Sequence, residues 1–400
     1  MAEFAPNARP LPTVVSTPRG PENVDTNRVI ADIADELFYY MPSKNPFLTL
    51  SSRLKNKRTV TQRYFGWLVK DEYPRVIELS AAALVADVTL PIIAAHATFS
   101  ANNFIYRNTR TEELVLVTAD GGTATITVTR GFAGSTQADM EAGDKLTYVA
   151  TAFEDGSGAG TKKSTKEVFD YNYCHIAKTD YGWTGRQLHT DLYGGTDMAS
   201  ERKSQAIEHA KSLEKLVFAG GRSTQTGSGG HELTTMGGLN HYVQTNIWDL
   251  DGTRPTERTF VEFLEEAMKW GKGGNLTGSG TKVLFTSARW TTELEFFAKD
   301  KLRYSPEMKK IGLDAREYVT AHGRVLIVPN HILDEDFKDR AYLIDPNHVR
   351  PVVHQGRDTK IMKNTQAPDI DGENEQILTD FSLQVELEAS HAILKGLDLT

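Results

Sequence analysis

The side chains that could do chemistry are few and scattered. His322 and His331 flank the apolar run RVLIVPN, and His348 and His354 lie close together in the chain. A histidine metal site needs convergent partners and a supporting shell behind them. Nothing in this spacing identifies such partners, so these residues read as ordinary core or surface histidines. Cys174 and His175 are adjacent in the strand-like YNYCHI, and neighbours on a strand point to opposite faces, which argues against a nucleophile pair. Carboxylates crowd in DEDFKD (Asp334–Asp339) and DIDGENE (Asp369–Glu375), both turn-like stretches expected to be solvated. In the second, Glu373 and Glu375 come too early after Gly372 for a twelve-residue calcium loop. A phosphate-cradling loop is missing too: Ser279 stands where the lysine is needed after Gly273, and the glycines of GSGAGTKKS are wrongly spaced, so both read as linkers. Tyr64, Phe65 and Trp67 could stack on bases. Only Lys55, Lys57 and Arg58 lie beside them, so packing between protein surfaces is the better use. The reading is of a chain with no catalytic residue, no metal and no cofactor.

Composition points the same way. At roughly 150 residues per domain, 400 residues allow two or three domains, and 39% hydrophobic with 24% charged residues is an ordinary globular balance. Lysine plus arginine is 45 against 53 acids, a net charge of -8, which argues against gripping nucleic acid by bulk charge. A single cysteine excludes an intrachain disulfide framework and a multi-cysteine zinc site, and fits synthesis in a reducing cytosol. The most apolar stretch, Leu79 to Ala97, is cut by Asp87, Pro91 and His96 and cannot supply the ~20 apolar residues of a membrane span. The start, MAEFAPNARPLP, lacks the apolar core of a signal peptide. A soluble chain is expected.

The elements that must position these side chains read as follows. Residues 1–55 form a proline-rich arm and a short amphipathic helix marked by Ile30, Ile33, Leu37 and Met41 and stopped by Pro42. Thr59 to Lys70 and Lys166 to Gly182 read as two long aromatic strands, the first reaching up to ~40 Å. Between them, residues 84–152 have the texture of a small all-β module: ELVLVT, a turn at Asp120–Gly122, and TATITVTRG pattern as a hairpin with Ala124, Ile126 and Val128 on one face. A helix over 197–219, capped by Thr196 and ended by Gly220, packs through Ile207, Leu213 and Val217. Its outer face carries Glu208, Lys211, Glu214 and Lys215. Strand and helix then alternate through KVLFTS, RWTTELEFFA, RVLIVPN and RAYLIDP, and the tail alternates Phe381, Leu383, Val385 and Leu387. The fold class is α+β.

That order of elements resembles the major capsid proteins of tailed bacteriophages, the Hong Kong 97 fold, over nearly the whole chain. The residues that narrow the resemblance are PSKNPFLTL at Pro42–Leu50, FGWLVKDEYP at Phe65–Pro74, TVTRGFAGSTQADMEAGDKL at Thr127–Leu146 and TTMGGLNHYV at Thr234–Val243. They fit a subfamily with a β module inserted in the E-loop, and the third block is the most specific. The resemblance implies an N-arm at 1–55, E-loop strands at 56–83 and 153–185, and an inserted barrel-like domain at 84–152. It further implies a P-domain at 186–255 and 345–400 with a spine helix at 197–219, and an A-domain at 256–344. It implies hexamers and pentamers closing into an icosahedral shell around double-stranded DNA, without sequence-specific binding, in a virion assembled in the host cytoplasm. A separate scaffolding protein, a portal and a decoration protein are the partners it implies, with no membrane. Tyr64, Phe65 and Trp67 would anchor the contact between subunits, and Lys55, Lys57 and Arg58 would meet acidic groups across it. An encapsulin-type compartment and a hydrolytic enzyme carrying a β-binding module are the alternatives.

Overall fold

The computed structural model describes residues 45–54, 56–120, 122–160, 163–190, 197–270, 281–298, 302–304 and 316–398. The expected helix over Ile30–Met41 and the cap at Thr196 lie outside them. The chain divides into two compact units, one spanning Gly66–Tyr171 and the other holding the chain up to Phe65 and from Asn172 onward.

From Asn45 the chain forms α1 (Pro46–Leu54), β1 (Arg58–Val60) and β2 (Tyr64–Val69). The Gly66–Tyr171 unit contains β3 (Val76–Glu78), β4 (Thr89–Pro91), β5 (Phe104–Asn108), β6 (Leu114–Asp120), β7 (Thr125–Thr129) and β8 (Lys145–Thr151), and the chain leaves along β9 (Val168–Tyr173). Then come β10 (His175–Thr184), α2 (Gly185–Leu188), α3 (Asp197–Ala219), the hairpin β11 (Ser223–Thr226) and β12 (Glu232–Thr235), and α4 (Leu239–Tyr242). Next are β13 (Ile247–Thr253), α5 (Glu257–Lys269), β14 (Thr281–Thr286), α6 (Ala288–Ala298), β15 (Leu302–Tyr304), β16 (Arg316–Thr320) and β17 (Gly323–Pro329). The chain ends with β18 (Ala341–Ile344), β19 (Val349–His354), β20 (Lys360–Lys363), β21 (Gly372–Val385) and β22 (Ala392–Leu397).

In the Gly66–Tyr171 unit six strands pair in the order β3-β8-β5-β6-β7-β4. A bridge between Leu79 and Ile92 joins the two outer strands, so the sheet closes on itself and leaves no long free edge. Alternate residues point inward, as a half-buried strand requires: Val115, Val117, Ile126 and Val128 share the core with Tyr106 and Leu146. Ile77 and Leu79 belong to that core as well. The closed sheet therefore takes in Val76–Glu78, ahead of the expected start at residue 84, because β3 finds its partner in β8.

The other unit has two large sheets besides the β11–β12 hairpin. One runs β1-β19-β21-β10, with β20 also paired to β21; the other runs β13-β22-β18-β14-β17-β16-β15. Phe260, Phe263 and Leu264 of α5 and Trp290 and Leu294 of α6 pack on Leu284, Ile327, Leu343 and Leu394 of the second sheet. A Thr256–Thr259 capping box starts α5. β13 and β22 lie in this sheet, and Leu250, Leu394 and Leu397 lie in its core, so a division that assigns 186–255 and 345–400 to one domain and 256–344 to another cuts through it. The long-range pairing of β13 with β22 is invisible to local pattern.

Both long strands expected from the sequence are broken. β1 pairs in parallel with β19, β2 pairs with β9, and the chain bends at 61–63 between them; one pleat cannot serve two partners. The second breaks at Cys174, whose amide donates to Arg63 O at 2.7 Å, and β10 then pairs with β21 through ten residues. Of the two expected long strands, the stretches β2 and β9 pair with each other as a two-stranded ribbon.

On α3, Leu213, Val217 and Phe218 are buried, while Ile207 is half-buried. Leu213→Ala is expected to lower stability by about 2–5 kcal/mol in urea denaturation; an unchanged midpoint would place Leu213 outside the core.

Candidate assembly surfaces

Strand alternation decides what the ribbon shows to its surroundings. Phe65 and Trp67 share a face and are buried in their own chain, Trp67 to 8% exposure. Little of either ring is exposed in the single chain, and their expected role as anchors on a neighbour stays a proposal. The opposite face carries Tyr64 at 42% exposure and Leu68 at 68%; on β9, Val168 and Phe169 are both more than half exposed, on opposite faces of their strand. The ring of Phe169 lies over Gly66, where a Cβ would come within 2.3 Å of it, so the glycine makes room for the aromatic. The rings of Tyr64 and Tyr173 meet at 5.8 Å. Of the expected anchors, Tyr64 is the one whose side chain is exposed.

The basic residues at the base are also engaged internally. Lys57 pairs with Asp358. Arg58 Nη1 donates to Gln384 Oε1 at 2.5 Å, with its guanidinium 5.8 Å from the centre of the Phe65 ring. Lys55 lies outside the described residues. The parallel pairing of β1 with β19 brings these groups together, so their first partners are in the same chain.

The spine helix holds a larger surprise. Glu214, read from sequence as part of a solvated face, is fully buried. Its carboxylate accepts hydrogen bonds from the amides of Phe47 at 2.9 Å and Leu48 at 3.3 Å, and from Asn330 Nδ2 at 2.8 Å. The two amides are unpaired donors of the first turn of α1, where a negative charge is favoured. Burial pushes the carboxyl up to about 7 against these three hydrogen bonds. Phe47 then packs with Phe218 and Phe285, at 6.2 and 6.0 Å between ring centres, so α1 is fixed to the spine helix and to β14. The signal for α1 was present as Pro46, a proline at the first helical position.

The motif TVTRGFAGSTQADMEAGDKL forms an internal strut. Arg130 meets Glu113 in a bidentate pair, Nε to Oε1 and Nη2 to Oε2, both 2.8 Å, with neither side chain reached by solvent to any extent. Arg130 also donates to Leu84 O at 2.9 Å, Asp87 O at 3.3 Å and Ala138 O at 2.6 Å. Gly131, Ala133 and Gly134 take positive φ, which turns the chain sharply after the arginine. Further on, Asp144 is held down to about 2 by its pair with Arg110. In TTMGGLNHYV, Gly238 lies against the end of α3, where a Cβ would fall 2.5 Å from Val217 O. Asn172 fastens the same loop, donating to Gly237 O at 3.0 Å and Leu383 O at 2.7 Å.

The residues weighed for catalysis have other occupations. Burial, with the charge of Asp380, pushes the Cys174 thiol up to about 12, far from a nucleophilic thiolate at neutral pH. His331 faces Asp334 at 3.2 Å. Glu375 of DIDGENE is buried rather than solvated, because Arg202 of α3 reaches it with two hydrogen bonds of 2.6 and 2.5 Å. No helix among the described residues is long and apolar enough to cross a membrane.

With this geometry in hand, comparison with known proteins is informative. The sequence model of one family, described as SU10 major capsid protein, matches residues 19–398. The major capsid protein of Pseudomonas phage PaMx41 is 23% identical over 313 residues, covering 75% of this chain and 72% of that one. Among solved structures, one of Gordonia phage Cozz is 11% identical, covers 96% of this chain and 98% of its own, and has a TM-score of 0.49. The capsid of a native GTA particle is 9% identical, covers 94% and 97%, and has the same TM-score of 0.49. The SrpI encapsulin of Synechococcus elongatus is 11% identical, covers 59% and 79%, and has a TM-score of 0.39.

Proposed function

The chain belongs to the SU10 major capsid protein family and is a phage major capsid protein, and we propose that its copies close into an icosahedral shell of hexamers and pentamers around double-stranded DNA. The observation that supports this arrangement is the ribbon. Tyr64, Leu68, Val168 and Phe169 remain exposed on it, and so much apolar surface on one pair of strands suits burial against a second copy. The ribbon acts as the E-loop of the Hong Kong 97 arrangement, the closed sheet of residues 76–151 is the module inserted in it, and α3 is the spine. The acidic net charge of -8 suits a wall that must not adsorb the packaged DNA. A separate scaffolding protein and a portal complete the assembly.

Electron microscopy of the purified protein tests the reading: closed shells are expected, and monomers or open rings at every concentration would overturn it. Nuclease-protected double-stranded DNA in particles from infected cells supports a phage head, whereas protein cargo in its place indicates an encapsulin-type compartment.

Leu68→Lys should separate folding from assembly. The side chain is exposed, so stability should change by no more than about 0.5 kcal/mol, while shells fail to form because a charge would be buried between copies. Normal shells from this variant would place the contact elsewhere.

A further inference from the structure

A groove opens in the unit that holds α1 and α3. It encloses about 300 Å³, bounded by α1, α3 and the sheet of β19, β20 and β21. Its walls are largely apolar: Leu48 of α1, Ala206, Ala210 and Leu213 of α3, and Ile377 and Phe381 of β21 all line it. Ala206 and Ala210 stand one turn apart on α3, and their short side chains leave the space between helix and sheet. Several polar groups at the groove are already matched within the chain. His209 lies between the hydroxyls of Thr179 at 2.9 Å and Thr379 at 2.8 Å, Thr379 donates to the Thr359 hydroxyl at 3.0 Å, and Lys57 pairs with Asp358. What remains for an occupant is mainly apolar surface, which gains more from apolar side chains than from water.

The chain itself supplies an occupant that ends at the rim. Residues 1–44 precede Asn45, where the described chain begins, and Leu48 of the first turn of α1 already lines the groove. Within that stretch Ile30, Ile33, Leu37 and Met41 recur at spacings of three and four, the pattern by which an amphipathic segment enters a groove. Asp32, Asp35 and Glu36 fall between them. On the rim, the exposed Lys360 stands between Thr359 and Ile361, both of which line the groove, so the charges are complementary. Met41 is four residues from Asn45, a span of at most ~14 Å, which tethers the end of the apolar row close to Leu48. The volume equals that of about ten waters in the liquid, room for a few aliphatic side chains and not for a whole helix.

We propose that this groove is the docking site of residues 26–41 of the same chain, whose row of Ile30, Ile33, Leu37 and Met41 inserts between α3 and β21 while its acidic side meets Lys360 and solvent. The short tether selects the chain's own segment over that of another copy, because it holds the segment beside the groove at a high effective concentration. Docking joins the segment to α1, α3 and β21 at once, and so adds a second fastening of α1 to the spine helix beside the bonds of Glu214. The proposal stands on the groove and the sequence, and it does not depend on what the assembled shell contains.

Disulfide trapping in the full-length protein tests this. Leu37→Cys combined with Ala206→Cys, or with Ile361→Cys across the groove, should form a bond under mild oxidation, read as a linked peptide pair after digestion. Leu37→Cys combined with Lys178→Cys should not, because Lys178 points away from α3 while its neighbour Thr179 reaches His209. Cys174 is buried and stays out of the exchange. In particles assembled from unlabelled and nitrogen-15 chains together, each linked pair should carry a single isotope. Pairs of mixed isotope would give the groove to another copy and overturn the proposal, as would failure of both the 206 and the 361 combinations. Should the cysteines disturb folding, Ile33→Asp with Leu37→Asp serves instead: amide exchange at 206–213 should rise roughly tenfold, with 76–151 unchanged. Unchanged exchange at 206–213 in that variant also overturns the proposal.

Discussion

Arg130→Met should unfold the Gly66–Tyr171 unit or bring it to the edge of unfolding. Removing one partner of a buried ion pair typically costs about 3–5 kcal/mol, because the other charge is left without compensation. Here Glu113 would stay in a fully buried place, and Leu84 O, Asp87 O and Ala138 O would lose their donor together. A module of this size has little more stability than that to lose. Limited proteolysis should show cleavage within 66–171 while the rest of the chain remains protected. Glu113→Leu added to Arg130→Met should recover part of the loss by removing the stranded charge, though not the contacts to the three carbonyls. A single variant that loses less than about 1 kcal/mol would show that the arginine is not a strut.

Glu214→Ala is the counterpart in the other unit. It strands the amides of Phe47 and Leu48 and the side-chain amide of Asn330, and each unsatisfied buried donor costs about 1–3 kcal/mol. Several kcal/mol of lost stability and detachment of α1 are expected, read as a lower urea midpoint and faster exchange of the 46–54 amides. Glu214 also makes stability depend on pH. Its folded-state pKa, about 7, is raised above the ordinary 4.5, so the folded protein binds this proton more tightly than the unfolded chain does. The contribution is complete below about 4.5 and is lost as pH rises to about 7, a change on the order of 3 kcal/mol. Glu214→Gln removes this dependence. A native protein whose stability rises across that range to the same extent as the Gln variant would contradict the assignment.

What could be read from the chain, and what could not, follows from the range of the interactions. The β6–β7 hairpin and β14 were legible because their signals are local: period-two alternation around Asp120–Gly122 and an unbroken apolar run. Glu214 was not. It sits among charges at helical spacing, and the donors that bury it come from residues 47, 48 and 330. The exposure of the ribbon aromatics was half legible, since alternation separates Tyr64 from Phe65 but does not say which of the two faces the chain covers. The breaks at 61–63 and at Cys174 depend on β19 and β21, whose pairing with β1 and β10 spans most of the sequence. The distinctive arginine–glycine block announced a specific backbone without revealing that a buried guanidinium was its purpose.

The pairing of β1 with β19 and of β13 with β22 has a consequence for synthesis. Strands from the last part of the chain occupy interior positions in both large sheets, so neither sheet can form until residues near 397 have left the ribosome. The Gly66–Tyr171 barrel needs nothing beyond itself and is free to fold long before. At about 5–20 residues per second, the interval between the two events is on the order of 10–45 s. Throughout that time a nascent subunit carries a finished barrel on an unfinished body, and a ribosome that stalls late releases a chain unable to join a shell. Emergence of the Ala392–Leu397 strand thereby becomes a checkpoint on which subunits enter the particle.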